Sequence, residues 1–212
     1  MIRSPSSAPP RVGAAAPWSL RSARVADAES WHHLQRAIYR EGVAFVGDGA
    51  PSPGALAARL RGLSADQGHV AVAVRTGVAP GAGADAPAAA PPPAASGSGG
   101  EVVGWIELQR MTPRRLAHVG WLTIAVAPGW RRRGVGAALM VDGRAWAAAQ
   151  RLRKLQLHVR AGNAAAIALY RRLGYVVEGV LRDQVAIGDV DARTTSYEDE
   201  WIMALDLTGG GA

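Results

Sequence analysis

The sequence predicts an α/β fold of the α+β kind, one mixed sheet with helices on both faces. Helix and strand signals follow one another in the order β-α-α-β-β-β-α-β-α-β-β, told apart by apolar repeats of 3.6 and of 2. Apolar residues make up 49% of the 212, enough for one domain with a real core. Pro53, Pro128, Gly134 and Gly174 stand where periodic segments start or stop, as helix and strand boundaries require.

Leu20 to Val25 reads as a first short strand. Asp27 is a candidate N-cap, and Trp31, Leu34 and Ile38 then fall on one helical stripe. Ser52-Pro53 signals a second helix, a capping hydroxyl followed by proline at the first helical position. Leu56, Leu60 and Leu63 line its apolar face, and Gly42 to Pro51 is the loop between the two helices. Val70 to Val74 reads as a strand. Residues 76–100 are mostly Ala, Pro, Gly and Ser with one acidic residue, Asp85. Such a composition cannot bury enough apolar surface to offset its ordering entropy, so it is expected to be a disordered insertion.

Glu101 to Met111 and His118 to Val126 read as strands joined through a turn at Pro113-Arg114-Arg115, a predicted hairpin. Gly134 to Gln150 follows as a helix with Val135, Ala138, Leu139, Trp146 and Ala149 facing inward. Leu155 to Val159 is a strand. Asn163 caps a further helix whose inward stripe is Ile167, Tyr170 and Leu173, closed by Gly174. Tyr175 to Val185 and Ser196 to Leu207 are the last strands, linked by a polar loop with Gly188, Asp189 and Asp191. The expected domain is 18–207, with 1–17 and 208–212 as loose tails.

The chain has no cysteine, which excludes disulfides, thiolate metal sites and a cysteine nucleophile. No run approaches the ~20 apolar residues of a membrane helix, and the first residues do not read as a signal peptide, so a cytoplasmic address is expected. His32, His33, His69 and His158 lack metal-ligand spacing, and no metal is expected. The formal charge is +7, nearly all from arginine, with Lys154 the only lysine. That balance suits phosphate recognition. The arginines are spread among alanines rather than stacking aromatics, so nucleic acid is not the expected main partner.

The stretch from Val126 to Gly136 carries the chemistry: a strand stops before Pro128, crosses Arg131-Arg132-Arg133, and enters a helix at Gly134, Val135 and Gly136. The glycines allow close backbone approach. The first N–H groups of a helix have no internal acceptor, and the helix dipole adds positive charge. This is a junction suited to a pyrophosphate.

Arg131, Gly134 and Gly136 also satisfy a family signature: Arg or Gln, two residues, Gly, one residue, then Gly or Ala. The chain thereby resembles the GCN5-related N-acetyltransferases (the GNAT superfamily). The segment Val159 to Tyr175, with Asn163 and Tyr170, is similar to the family's second signature. Tyr197 to Leu205 resembles its last strand. The resemblance spans about Glu101 to Leu207 and, more loosely, Leu20 to Val74, leaving out the tail and the insertion. The cofactor-side segment looks most like that of the ribosomal-protein alanine N-acetyltransferases.

The resemblance implies the GNAT fold, with a splayed pair of central strands binding acetyl-CoA as co-substrate. Pyrophosphate would lie on the backbone of Arg131, Arg132, Arg133, Gly134, Val135 and Gly136, with Asn163 touching the cofactor from the next helix. Pantetheine would pair with Ile124, Ala125 and Val126 like an added strand. A backbone N–H on that strand would polarise the thioester carbonyl, and Tyr170 would protonate or hydrogen-bond the leaving sulfur. The implied acceptor is an amine, either a small molecule or a protein N-terminus, and the protein a monomer or a homodimer.

The general base stays open. Relatives often place a glutamate where this chain has His118; Glu107 on the neighbouring strand is the other candidate. Bland readings stand beside these. By position alone Tyr170 is a core aromatic, Asn163 a helix cap, Gly134 and Gly136 turn glycines, and His118 a surface strand residue. Asp183, Asp189 and Asp191 either attract a cationic amine or decorate a solvated loop. A non-catalytic CoA-binding module and a basic RNA- or ribosome-associated protein are the alternative functions.

Overall fold

The computed structural model describes residues 16–45, 47, 49–76, 99–188 and 196–209. Most of the insertion, most of both tails, and Asp189 and Asp191 lie outside the described residues. One seven-stranded sheet runs in the order β1-β2-β3-β4-β5-β7-β6. Its strands are β1 (Trp18–Ser22), β2 (Gly68–Arg75), β3 (Val102–Arg110), β4 (Val119–Val126), β5 (Lys154–Arg160), β6 (Val176–Ile187) and β7 (Ser196–Asp206). Among the described residues four α-helices accompany it: α1 (Ala28–Glu41), α2 (Pro53–Gly62), α3 (Val135–Ala149) and α4 (Ala164–Arg172). The element order is the one read from the sequence.

All strand pairs are antiparallel except β4 with β5, which α3 joins as a crossover. Alternation along β3 sends Trp105 to one face and Ile106 and Leu108 to the other. Trp31, Leu34, Ile38 and Leu56 pack with Trp105 beneath α1 and α2. Val135, Leu139, Ile167 and Tyr170 pack with Ile106 and Leu108 beneath α3 and α4. Burying each such large apolar side chain is worth about 1.5–3 kcal/mol, so the two cores clamp the sheet from both sides.

Ser52 caps α2 as read, its hydroxyl accepting from Ala55 N at 3.2 Å. Three expectations need correcting. The first strand begins at Trp18 and ends at Ser22, opposite Ala71; Ala23 N still donates to Val70 O at 2.8 Å, and the chain then leaves β2 for a 3-10 turn at Val25–Asp27 that leads into α1. Asp27 stands at the N-cap of α1 but makes no side-chain cap bond. Its fully buried carboxylate instead accepts two bonds of 2.7 Å from Arg21 and one of 2.7 Å from Arg24 N. A buried charge needs a full set of partners, and Arg21 on β1 offers more than one cap N–H.

The buried stripe of α3 runs through Val135, Leu139, Met140, Gly143 and Ala147; Ala149 is exposed and Trp146 only half buried. Gly143 explains the rotation. A Cβ there would stand 2.9 Å from Ile106 Cδ1 and 3.0 Å from Leu108 Cδ1, so the helix approaches the sheet along its glycine. Trp146 then reaches the rim, where its Nε1 donates to Ala65 O at 3.0 Å.

Candidate active site

β4 and β5 are paired over three residues only: Val119 with Lys154, Gly120 with Leu155 and Trp121 with Gln156. Beyond Trp121 the strands part. β4 runs on to Val126 with its edge toward β5 left out of the ladder, while β3 still pairs with its other edge. A cavity of about 660 Å³ opens at this split. Its walls include Ile124, Ala125 and Val126 on β4, Arg131, Arg132, Gly134 and Gly136 at the start of α3, and Asn163 and Tyr170 at α4. The site residues expected on the cofactor side are thus brought together, apart from Arg133 and the buried Val135, which do not line the cavity.

Local chemistry builds the junction. Pro128 starts a 3-10 turn that ends β4. Arg132 at φ 61° and Gly134 at φ 81° then hold left-handed backbone and turn the chain into α3. The first bond of α3 runs from Ala138 N to Gly134 O at 3.0 Å. The N–H groups of Val135, Gly136 and Ala137 precede it and have no acceptor in the helix. A Cβ at Gly134 would meet nothing within 4 Å, so this glycine leaves an open floor. At Gly136 a Cβ would stand 3.2 Å from Leu169 Cδ2. The second glycine therefore serves the contact of α3 with α4, beside any approach to an anion.

The arginines divide their work. Arg131 Nε donates to Val126 O at 3.1 Å, and its Nη2 pairs with Glu41 at 2.5 Å. Arg133 Nε donates to Gly129 O at 3.0 Å, with its guanidinium 6.0 Å from the Trp130 ring centre. Arg132 is exposed and lines the cavity. Asn163 Oδ1 accepts from Ala166 N at 3.2 Å, so it caps α4 and faces the cavity at once. The residues present fit a pyrophosphate-bearing ligand: the N–H groups that open α3, the Arg132 guanidinium and the edge of β4 that β5 leaves unpaired among the described residues meet in one cavity.

Tyr170 is buried among α3 and α4, with its ring 5.9 Å from that of Tyr175. Burial pushes its hydroxyl pKa well above the usual tyrosine value, so it stays protonated and available as a donor.

The two expected bases lie elsewhere. His118 is exposed and directly precedes β4, at the closed end of the split, where its carbonyl accepts from Arg153 N at 2.8 Å. Six residues of strand separate it from Ile124, about 20 Å, and it does not line the cavity. Glu107 is buried beneath α2, where its carboxylate pairs with Arg59 Nε at 2.5 Å. Burial raises its pKa above the usual carboxylate range, and Arg59 opposes that shift. Asp183 lies on β6, within the expected strand and beside the polar loop, at φ 49°, where its N–H donates to Asp199 at 3.0 Å.

The Glu107–Arg59 pair yields a signed prediction. Removing Arg59 leaves a buried carboxylate without its counter-ion, so its folded-state pKa rises further above the unfolded value. Folding then favours the protonated form, and stability falls as pH rises through the folded-state pKa. Arg59→Ala is expected to destabilise the protein by about 1–3 kcal/mol at pH 8 and by less at pH 5. Denaturant unfolding at the two pH values measures it; an equal loss at both would mean that Arg59 only packs.

Sequence reading missed a second cluster. On the face away from α3 and α4, His158 Nδ1 lies 3.1 Å from Glu200 Oε2, and its ring centre is 4.5 Å from that of Trp121. Arg160 pairs with Glu198 at 2.7 Å and also reaches Gly42 O. The alternation of β5 signalled an outward face for His158 and Arg160, but only strand order reveals β7 as the partner.

The fold is that of the GNAT acetyltransferases. Residues 87–175 match the family model described as Acetyltransferase (GNAT) family. That match and the curated relatives support membership of the GNAT superfamily. The chain is 31% identical over 111 residues to an L-amino acid N-acetyltransferase of Escherichia coli K12, covering 50% of this chain and 62% of the relative. It is 34% identical over 119 residues to an N-alpha-acetyltransferase of Sulfurisphaera tokodaii, covering 51% and 65%. The chain therefore spans less than two thirds of either relative. A putative acetyltransferase from Salmonella typhimurium, solved with its cofactor acetyl-CoA, superposes with a TM-score of 0.70 at 17% identity, over 92% of this chain and 97% of that one. Among the described residues no helix is long and apolar enough to cross a membrane, and no three His, Asp or Glu residues are grouped to hold a metal.

Proposed function

We propose that this protein transfers the acetyl group of acetyl-CoA to a primary amine by direct attack, without a covalent enzyme intermediate. The split between β4 and β5, opening on the N-terminus of α3 in a single cavity, carries the reading. The N–H groups that open α3, with Arg132, would hold the pyrophosphate. The free edge at Ile124 to Val126 would hold the pantetheine arm and present an N–H to the developing oxyanion. Tyr170 would donate its hydroxyl hydrogen to the departing sulfur. Its raised pKa makes it a hydrogen-bond donor first, yielding its proton only as another arrives. No thiol or other covalent carrier is needed for this chemistry.

The acceptor is a small-molecule amine or a protein N-terminus; the two relatives' names point one each way. Free-thiol release from acetyl-CoA tests the proposal against two pools: short peptides with free N-termini, and small polyamines, amino acids and aminoglycosides. Release with peptides assigns N-terminal acetylation, and release with small amines a metabolite or drug acetyltransferase. Binding of acetyl-CoA without release in either pool would turn the protein into a CoA-binding module.

A further inference from the structure

Resting on that acetyltransfer reading, we propose that Glu41 anchors the ammonium of the acceptor, that Arg131 positions Glu41, and that the acceptor carries a single positive charge beside an apolar group. A peptide N-terminus, a simple monoamine and an apolar amino acid share that chemistry. Polyamines and aminoglycosides, with several ammonium groups, do not.

The cavity reaches both faces of the sheet. Gly134, Asn163 and Tyr170 wall it from the side of α3 and α4. Ile38 and Glu41, in the last turn of α1, and Val43 and Ala44, just after it, wall it from the side of α1 and α2. Ala125 of β4 belongs to this second side, in the core with Trp31 and Trp105. Ile124 and Val126 pack toward the α3 core instead. With the cofactor-side groups on one face, the other face is left for the acceptor, and its wall is apolar except at Glu41.

Two arginines fasten the end of α1 across the split. Arg131, at the junction of β4 and α3, gives Nη2 to Glu41 Oε2 at 2.5 Å and Nε to Val126 O at 3.1 Å. Arg160, on β5, donates to Gly42 O, the residue after Glu41. The helix end is thus tied to both of the strands that part. Arg131 takes one carboxylate oxygen; Glu41 Oε1 has no partner among the described residues. The Glu41 side chain is 25% exposed, so a cation can reach it, and the C-terminal end of a helix adds partial negative charge.

Charge sets the limit on the acceptor. Among the described residues that line the cavity, Glu41 is the only acid, against Arg131, Arg132 and Arg172. Glu198 is held by Arg160 and Gly162 N, and Glu200 by His158; neither lines the cavity. One ammonium therefore finds one carboxylate, and a second finds guanidinium groups that repel it. Once the ammonium has lost a proton to water, the neutral amine still donates one hydrogen bond to Glu41 and keeps its lone pair for the thioester carbonyl.

Thiol release from acetyl-CoA by three matched pairs tests the class: Leu-Ala-Ala against Lys-Ala-Ala, butylamine against 1,4-diaminobutane, and leucine against lysine. Each pair differs by a second ammonium, and the pair that reacts identifies the source of the amine. The singly charged member is expected to have a kcat/KM at least about 10-fold higher; preference for the doubly charged member overturns the assignment and leaves acetyl transfer standing. Glu41→Gln is expected to raise the KM of the favoured acceptor about 10-fold, with kcat changed less than about threefold and acetyl-CoA Kd, by calorimetry, less than about twofold. An unchanged KM removes Glu41 as the anchor. Arg131→Gln keeps a donor for Val126 O and drops the charge; it is expected to raise that KM about fivefold, and Arg131→Lys less, which lost packing would not give. A 10-fold weaker acetyl-CoA Kd for Arg131→Gln with KM unmoved would assign Arg131 to the cofactor and overturn its positioning role. No thiol release with any of the six amines overturns the underlying reading, and the anchor with it.

Discussion

Gly134→Asp is expected to lower acetyl-CoA affinity at least 100-fold, about 2.8 kcal/mol. Two effects meet at this position. Gly134 holds φ 81°, which costs a side chain roughly 1–2 kcal/mol, but that strain is present with and without ligand. It lowers stability and leaves affinity largely alone. The carboxylate acts only in the complex. An added Cβ points into open space at the head of α3, where a pyrophosphate would sit. Two like charges about 4 Å apart repel by roughly 4 kcal/mol near a protein surface. Gly134→Asn has the same shape without the charge, and its left-handed backbone is tolerable. It is expected to show the same fall in melting temperature and less than about a 10-fold loss of affinity. Calorimetry on both variants decides, and undiminished binding by Gly134→Asp would move the pyrophosphate elsewhere.

Tyr170→Phe is expected to lower kcat on the order of 100-fold with little change in acetyl-CoA affinity. The hydroxyl is deeply buried and its pKa is raised by that burial alone, so it acts in its protonated form throughout the working pH range. Removing it withdraws a donor from the charge developing on sulfur, an interaction made only in the transition state. The ring itself is core, packed beside Tyr175 and Ile167, and Phe keeps it. Equal turnover by the two proteins would return Tyr170 to a packing role.

Much of this molecule was legible because its signals are local. Ser52 and Asn163 cap helices through bonds to residues three positions on, and such caps are written in adjacent sequence. Trp31, Leu34 and Ile38 bury as their spacing demands. The glycine junction is equally local, and its neighbourhood with Asn163 and Tyr170 came from the resemblance. The errors have one kind of cause. Asp27 does stand at the N-cap of α1, but its carboxylate goes to Arg21, which lies on another element. The α3 stripe was rotated because a glycine packs more closely than any apolar side chain, and only the facing Ile106 and Leu108 reveal it.

The two expected bases show the same division. His118 and Glu107 were the candidates by position along β3 and β4, and distance in sequence ran parallel to distance in space only within that hairpin. Sequence by itself determined the order of elements, the anion-binding helix start and the proton donor's helix, because period, capping and backbone freedom are properties of neighbouring residues. Tertiary structure alone decided where β4 and β5 part, that Arg59 closes over Glu107, and that His158 meets Glu200 and Trp121. Those facts depend on strand order and register, which bring together residues more than thirty positions apart and leave no local trace.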